Sequence, residues 1–221
     1  MNISQEEVNH FDKGTFEKAL QALDEEIGKD EFIIAFAPIR MISAGGYLAL
    51  SLLRNQLSTS DIDYIIDPEW ATDDDIREPI RKGITAVADS LKLPKNWLND
   101  DMHIFVTDEG RERLFKQAQE QGIYLFRGTN VEILAAPLKW ALERKMRRVH
   151  YKNRGRKSEP DLCDCLGLLK YLKEQAGSEL DREEIRTLNL NGFDVLPDQH
   201  TMSAIAAAYR EKYGEEIFKA W

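Results

Sequence analysis

Cysteine is scarce in this sequence: among 221 residues only Cys163 and Cys165 occur, two positions apart. A pair so closely spaced cannot form the framework of disulfides that stabilises small secreted domains. We therefore predict two reduced thiols and a reducing, cytoplasmic environment. The four histidines are scattered and show no metal-ligand spacing, which argues against a zinc site.

Long apolar runs are also missing. No segment approaches the roughly 18 apolar residues that span a membrane. The first residues lack the basic and apolar regions of a secretory signal, so we expect no membrane partner. Positive charge is in deficit, with a net charge of -9 and an isoelectric point near 5.1. This deficit argues against a general nucleic-acid-binding protein, but it allows an RNA substrate held by a local basic patch.

The motifs of several common enzyme classes are absent too. The chain contains no Gly-x-Ser-x-Gly sequence, no P-loop and no Cys–His arrangement. These absences argue against the familiar serine and cysteine hydrolases and against P-loop nucleotide-binding proteins. The informative residues are instead a glycine pair, an acidic pair and a basic segment.

Hydrophobic periodicity predicts two regions of different architecture. Residues 1–136 alternate between strand-like and helical segments, which predicts an α/β (α+β) domain with helices packed on a small sheet. Residues 137–221 show only helical period, which predicts a helical C-terminal region. The predicted strands are 39–44, 61–66, 103–106, 123–126 and 131–135, with 32–36 as a strand or a buried lead-in. The predicted helices are 12–28, 47–53, 72–91, 109–120, 138–149, 159–175, 181–189 and 198–213.

Asp61 and Asp63 open one of these strands, with Ile62 between them. Residues two apart on a strand point to the same face, so both carboxylates should share one space while Ile62 faces the core. Two adjacent carboxylates repel each other unless a cation lies between them, and oxygen ligands suit Mg²⁺ or Mn²⁺. The same spacing is common at exposed turns, so the interpretation depends on the residues that precede it.

Gly45 and Gly46 lie before the acidic pair, between a predicted strand and a predicted apolar helix. A glycine turn that opens a helix presents free backbone N–H groups to a phosphate. Combined with the acidic pair, this turn predicts a site for a metal-bound nucleoside triphosphate.

The string from Gly45 through Arg54 and Thr59 to Asp63 resembles the signature of the nucleotidyltransferase superfamily. It is most similar to the minimal nucleotidyltransferases and the type IV abortive-infection toxin branch, whose pattern is Gly-Gly or Gly-Ser, an apolar helix, then Arg-x-Thr-x-Asp-x-Asp. The resemblance implies a small mixed sheet, a magnesium-bound nucleoside triphosphate and a toxin–antitoxin-like context. The implied phosphate- and metal-binding residues are Gly45, Gly46, Thr59, Ser60, Asp61 and Asp63.

A second matching block is strongly basic, with eight Lys or Arg and no acid between residues 144 and 157. In the toxin-like branch a lysine-bearing helix is followed by a basic residue and by a helix with Asp-x-x-Asp. Lys145 and Lys157 match the two basic positions, with Arg148 as an alternative, and Asp161 and Asp164 are placed to orient them. The segment is either a solvated face or a surface that binds triphosphate or an RNA backbone.

Nucleotidyltransferases usually add a third acid from a neighbouring strand, which holds the catalytic metal and can act as general base. The predicted strand 123–126 offers Ile, Tyr, Leu and Phe, and no acid. Glu132, on the returning strand, is the best candidate in its place. Asp100 and Asp101 are further candidates, and the position can also be unfilled.

Three functions remain open. The first is a Mg²⁺-dependent nucleotidyltransferase that moves a nucleoside monophosphate from a nucleoside triphosphate to an RNA, protein or small-molecule acceptor. In it, positioning and electrostatics supply the catalysis, and Lys145 neutralises charge as pyrophosphate leaves. The second is a catalytically degenerate relative that serves as a nucleotide-binding or protein-interaction module. The third is a structural protein whose acidic pair is only a strand edge.

Overall fold

A computed structural model describes residues 9–151, 158–190, 192 and 195–220. The strands are β1 (Ile39–Ser43), β2 (Ile62–Ile66), β3 (Leu98–Asn99), β4 (Tyr124–Arg127) and β5 (Val131–Ala135). The helices of the first part are α1 (Lys13–Ile27), α2 (Gly46–Leu48, continued by a π-helical stretch Ala49–Leu53), α3 (Asp74–Leu91) and α4 (Asp108–Gln121). The later helices are α5 (Leu138–His150), α6 (Ser158–Ala176), α7 (Arg182–Arg186) and α8 (Gln199–Tyr213).

The five strands form one mixed sheet in the order β3-β2-β1-β5-β4. Strand β1 is antiparallel to β2 and parallel to β5, β4 is antiparallel to β5, and β3 is parallel to β2. This mixed sheet with packed helices confirms the predicted α+β class. Since β1 is the central strand, the glycine pair that follows it lies at the middle of one sheet edge.

One face of the sheet is covered by α1 and α3, which also pack against each other. Strand side chains at alternate positions form a single core with them, including Met41 of β1, Ile62 and Tyr64 of β2 and Ile133 of β5. Because side chains alternate along a strand, Asp63 projects from the opposite face. The core therefore sets which way the acidic strand points.

The segment after α1 differs from the prediction. Residues Ile33–Phe36 form a 3₁₀-helix, so the alternative of a strand at 32–36 is wrong. The Asp30 carboxylate accepts the backbone N–H groups of Phe32 at 3.0 Å and of Ile33 at 3.1 Å, which starts a helical turn instead. Only Ile33 is buried there, while Phe32 is 52% exposed.

The predicted strand at 103–106 is also wrong, because residues Asp101–Phe105 form a 3₁₀-helix. The Asn99 side-chain oxygen accepts the N–H of Asp101 at 3.1 Å, and Asp100 O accepts the N–H of His103 at 3.0 Å. These local bonds turn the chain directly after β3. The strand itself lies earlier, at Leu98–Asn99, and is only two residues long.

The chain divides into two compact units after Ala135, one residue before the predicted division. The second unit contains α5 to α8, and the helices predicted there are confirmed, although α7 is shorter than the predicted 181–189. In its described residues the only β pairing is an isolated bridge between Leu180 and Phe218. No helix in the described part of the chain is long and apolar enough to cross a membrane.

Asp24 connects α1 to the turn between β4 and β5. Its side chain is buried, and its carboxylate accepts backbone N–H groups from Thr129 at 3.1 Å, Asn130 at 2.7 Å and Val131 at 2.8 Å. The Asn130 amide returns a bond to the Asp24 carbonyl oxygen at 2.9 Å. A buried carboxylate is tolerated when charge-assisted hydrogen bonds satisfy it, so this contact stabilises the turn that leads into β5.

We expect Asp24→Asn to lower the free energy of unfolding by about 2–3 kcal/mol, because an amide NH₂ then faces backbone donors in a buried site. Urea unfolding followed by circular dichroism measures the loss. Glu25→Gln, on the exposed neighbour, removes the same charge and should stay within about 0.5 kcal/mol of the unchanged protein. Equal losses in the two variants would contradict a specific role for the Asp24 contacts.

Candidate functional site

The acidic pair lies at the entrance of β2. Asp61 directly precedes the strand and Asp63 is its second residue, and both are half-buried. Ile62 between them is fully buried in the core beneath α1 and α3. The structure thus agrees with an apolar residue turned inward between two accessible carboxylates.

The backbone of Gly45 lies directly beside Asp63. A methyl group built on the Gly45 Cα would be 3.3 Å from Asp63 Oδ2. Gly45 has φ 74° and ψ -141°, a backbone conformation essentially restricted to glycine, and it begins α2. The turn between β1 and α2 therefore approaches the second carboxylate closely.

Gly46 is in still closer contact with Thr59. A methyl group on the Gly46 Cα would be 2.1 Å from Thr59 Oγ1 and 2.8 Å from its Cβ. Backbone hydrogen bonds between Thr59 and Phe11, at 2.8 and 3.1 Å, hold this residue in place, and Ser60 follows it half-buried. Four of the predicted residues, the glycine pair, Thr59 and Asp63, are thus gathered at one edge of the sheet.

Arg54, the remaining residue of the matched string, ends the π-helical stretch after α2. It adopts a left-handed conformation with φ 53°, and its side chain is exposed. Its contribution to the local structure is the reversal that sends the chain toward Thr59. Its backbone N–H donates to the carbonyl oxygen of Ala49, which closes the π-helical stretch.

Two tyrosines near this edge are unavailable for stacking on a base. Tyr47 is fully buried and Tyr64 is 6% exposed, so neither ring faces solvent. Burial raises the pKa of Tyr47 to about 12. Both rings belong to the core that supports the glycine turn and β2.

Glu132, predicted as the third acid, lies away from the acidic pair. It is in register with Arg40 near the start of β1, whereas Asp63 lies beyond the pairing of Ser43 with Tyr64 near the end of β1. At least four residues therefore separate the two levels, roughly 13 Å along the strands. The Glu132 carboxylate is instead bound by Arg40 at 3.3 Å and by Arg127 at 3.5 Å.

The reason is topological. Because β5 runs parallel to β1, its first residues lie at the sheet end where β1 begins, and only its last residues reach the edge with the glycine turn. Ala135 occupies the level of Ser43, so β5 offers no carboxylate there. A single sequence predicts that residue 132 is on a strand, but it does not show which strand pairs with it or in which direction that strand runs.

The other acidic candidates are also placed differently from a third ligand. Asp100 faces α3, where Arg77 Nη2 lies 3.4 Å from its Oδ2, and its charge adds to the burial that raises the pKa of Tyr64. Asp101 is exposed at the start of the 3₁₀-helix. Within the described residues no cluster of three or more His, Cys, Asp or Glu side chains could hold a metal ion.

Sequence reasoning missed the residue that does lie beside Asp63, which is Asn99 of β3. The two residues are Cα partners in the parallel pairing of β2 with β3. A two-residue strand carries no periodic signal, so its register with β2 becomes visible only in the folded chain.

In the second unit Lys145 is held by the two aspartates of the predicted Asp-x-x-Asp helix. Its Nζ lies 3.0 Å from Asp161 Oδ1 and 2.6 Å from Asp164 Oδ2. The Lys145 side chain is 11% exposed and that of Asp164 is 1% exposed. Arg148, which is half exposed, contacts Asp161 at 3.1 Å. The predicted orientation of Lys145 by this acidic pair is present.

The basic segment presents fewer surface charges than its sequence suggests. Arg147 is buried and binds Glu143 and the Asn189 side chain, so it stabilises the packing of α5 rather than a ligand surface. Lys145 is paired with its two aspartates and is largely buried. Lys157, predicted to bind phosphate, falls outside the described residues together with Lys152, Arg154 and Arg156.

Both cysteines are in α6 next to this cluster, and neither forms a disulfide, as predicted. Burial raises the pKa of the Cys165 thiol, so this residue is inert. Cys163 is half-buried and accepts a hydrogen bond from Lys212 Nζ at 3.3 Å.

Comparisons of the chain with protein families, with curated proteins and with solved structures give no match.

Proposed function

We propose that the chain binds a magnesium-bound nucleoside triphosphate at the edge formed by Gly45, Gly46, Thr59 and the Asp61–Asp63 pair. The observation that carries the proposal is the close approach of the glycine turn to Asp63 and to Thr59: an added methyl group would clash with Thr59 at Gly46, and at Gly45 the positive φ disfavours any side chain. A glycine turn that opens a helix beside a carboxylate pair suits a phosphate and its cation.

We propose further that the protein is a nucleotidyltransferase. Asp61 and Asp63 would hold Mg²⁺ or Mn²⁺, which supplies charge stabilisation for the phosphates when bound. The backbone of Gly45 and Gly46 and the Thr59-Ser60 step would position the triphosphate. An acceptor hydroxyl attacks the α-phosphorus in line, its proton passes to water, and the bond to the β-phosphate oxygen breaks to release pyrophosphate.

The resemblance assigns the neutralisation of leaving pyrophosphate to Lys145, with Arg148 or Lys157. The salt bridges to Asp161 and Asp164 support a fixed position for the Lys145 ammonium group. A lysine held in this way loses little freedom on binding a ligand, which suits a positioning role.

A specific observation favours the alternative of a catalytically degenerate, nucleotide-binding relative. Among the described residues no third His, Cys, Asp or Glu joins Asp61 and Asp63 in a group that could hold a metal ion, and Glu132 is bound by two arginines elsewhere. Binding and transfer therefore need separate tests.

The test of binding is isothermal titration of the full chain with ATP, GTP, CTP and UTP in the presence of Mg²⁺. We expect at least one triphosphate to bind, and Asp61→Asn combined with Asp63→Asn to weaken binding by about a hundredfold or more. Loss of direct ligands should cost more than the tenfold to hundredfold that loss of a supporting residue costs.

The matched control is Asp74→Asn with Asp75→Asn, which makes the same charge change at two exposed positions in the first turn of α3. It should leave the affinity within about twofold, because exposed charges are screened. If no triphosphate binds the unchanged protein, or if both double variants weaken binding equally, the proposed site is wrong.

Transfer is tested with α-labelled triphosphates, incubated with RNA, with protein and with small hydroxyl compounds. Label on an acceptor that disappears in the Asp61→Asn and Asp63→Asn variant identifies a nucleotidyltransferase. Tight binding without label on any acceptor favours the degenerate module.

A further inference from the structure

We infer that Asn99 occupies the third ligand position beside Asp61 and Asp63, so that this site holds a single divalent cation. The inference rests on the proposed function for the nucleotide, but its geometry is independent of it. Asn99 is the Cα partner of Asp63 in the parallel pairing of β2 with β3. Side chains of paired residues on adjacent strands point to the same face and begin roughly 5 Å apart.

The neighbours of Asn99 confirm which face it shares. Leu98 is buried in the core beneath α1 and α3, together with its partner Ile62. Asp100 turns to α3, where it meets Arg77. Of the residues at this end of β3, Asn99 is therefore the one on the face of Asp63.

The Asn99 side chain is held in a defined orientation. Its Oδ1 accepts the N–H of Asp101 at 3.1 Å, and its Nδ2 donates to the carbonyl oxygen of Asn96 at 3.3 Å. An amide oxygen has a second lone pair, so Oδ1 can accept one hydrogen bond and still act as a neutral ligand. The hydrogen bonds reduce the freedom that such a ligand loses on binding a cation.

The chemical consequence is a site with two negative charges and not three. Two carboxylates and one neutral oxygen balance a single divalent ion, whereas a second ion in such sites is bound by further carboxylates. Asn99→Asp would add the missing charge in register with Asp63. The position of Asn99 thus sets how many ions the site holds and how tightly it binds them without nucleotide.

The test measures the affinity of the full chain for Mn²⁺ alone, by electron paramagnetic resonance of the free ion. We expect Asn99→Asp to bind Mn²⁺ about tenfold more tightly, or better, because an added negative charge within 4–6 Å stabilises a cation by at least this factor. Asn96→Asp is the matched control, since it makes the same change three residues away at an exposed position. It should change the affinity by less than about twofold.

The gain must also depend on the acidic pair. We expect it to disappear when Asn99→Asp is combined with Asp61→Asn and Asp63→Asn. Circular dichroism checks that each variant is folded. If Asn99→Asp does not fold, Asn99→Glu provides a second carboxylate variant. The absence of a gain in a folded variant, an equal gain in Asn96→Asp, or a gain that survives without the pair would each overturn the inference.

This outcome is separable from that of the proposed function. If triphosphate binding requires Asp61 and Asp63 but Asn99→Asp gives no gain, only the role of Asn99 is lost. If Mn²⁺ binding shows the expected gain but no triphosphate binds, the shared face is confirmed and the nucleotide proposal fails.

Discussion

Lys145→Met should lower the free energy of unfolding by about 3–5 kcal/mol. The substitution keeps the length of the side chain but removes the cation that lies 3.0 Å from Asp161 and 2.6 Å from Asp164. Asp164 is 1% exposed, so its charge would be left in a site with almost no water. Breaking a buried pair by removing one partner costs this amount because the other charge is uncompensated. Urea unfolding followed by circular dichroism measures the change.

The same helix provides a control. Lys139 forms an exposed salt bridge with Glu184 at 2.7 Å, with both side chains at least half exposed. Lys139→Met removes a charge of the same kind and should cost no more than about 1 kcal/mol, since exposed ion pairs contribute little. Similar losses of the free energy of unfolding in the two variants would show that burial does not determine how much the Lys145 cluster contributes to stability.

A second test distinguishes a lost charge partner from a lost packing contact. In Lys145→Met combined with Asp161→Asn and Asp164→Asn, no buried charge remains uncompensated. We expect this triple variant to recover part of the stability, because replacing all charges of a buried cluster costs less than removing one. A triple variant that is less stable than Lys145→Met alone would contradict the electrostatic explanation.

Gly46→Ala should lower the free energy of unfolding by about 3 kcal/mol or more. The added methyl group would lie 2.1 Å from Thr59 Oγ1 and 2.8 Å from its Cβ, so the turn or the Thr59 segment must shift. Overpacking in well-packed sites typically costs 1–3 kcal/mol, and contacts this short exceed the usual case. The shift would also displace Gly45 from Asp63, so triphosphate affinity should fall with stability.

Gly14→Ala is the control for this variant. A methyl group there would lie 3.8 Å from Asp12 Oδ1, an ordinary contact, and Gly14 lies in α1. Alanine at that position should be neutral or stabilising by up to about 1 kcal/mol.

Gly46→Ala combined with Thr59→Gly removes the clash and should be more stable than the sum of the single effects predicts. Simple additivity would show that the contact with Thr59 is not the cause.

Much of the secondary structure could be predicted from the sequence, and the reason is length. Helices such as α3 and α5 repeat their apolar residues often enough for the period to be unambiguous. The short segments 32–36 and 103–106 carry the same apolar residues without enough repeats. Hydrogen bonds from backbone N–H groups to the side chains of Asp30 and Asn99 determine the conformation of these segments, and both form 3₁₀-helices.

A similar reason explains which residues of the candidate site could be predicted from the sequence. Gly45, Gly46, Thr59 and Asp63 could be assembled from sequence because they belong to one strand–turn–helix–strand segment, whose local geometry follows from residue type. Lys145 and its aspartates could be paired because helical spacing places Asp161 and Asp164 on one face. In both cases the residues that meet are related by a known local period.

The sequence by itself thus determined the α+β class, the glycine turn and the acidic pair that follows it. Only the tertiary structure decided which residue stands beside Asp63. Strand order and direction place Glu132 at the far end of the sheet, with Arg40 and Arg127, and place Asn99 next to Asp63. Local propensity contains no information about these pairings, because they depend on how distant strands align when they bury a common core.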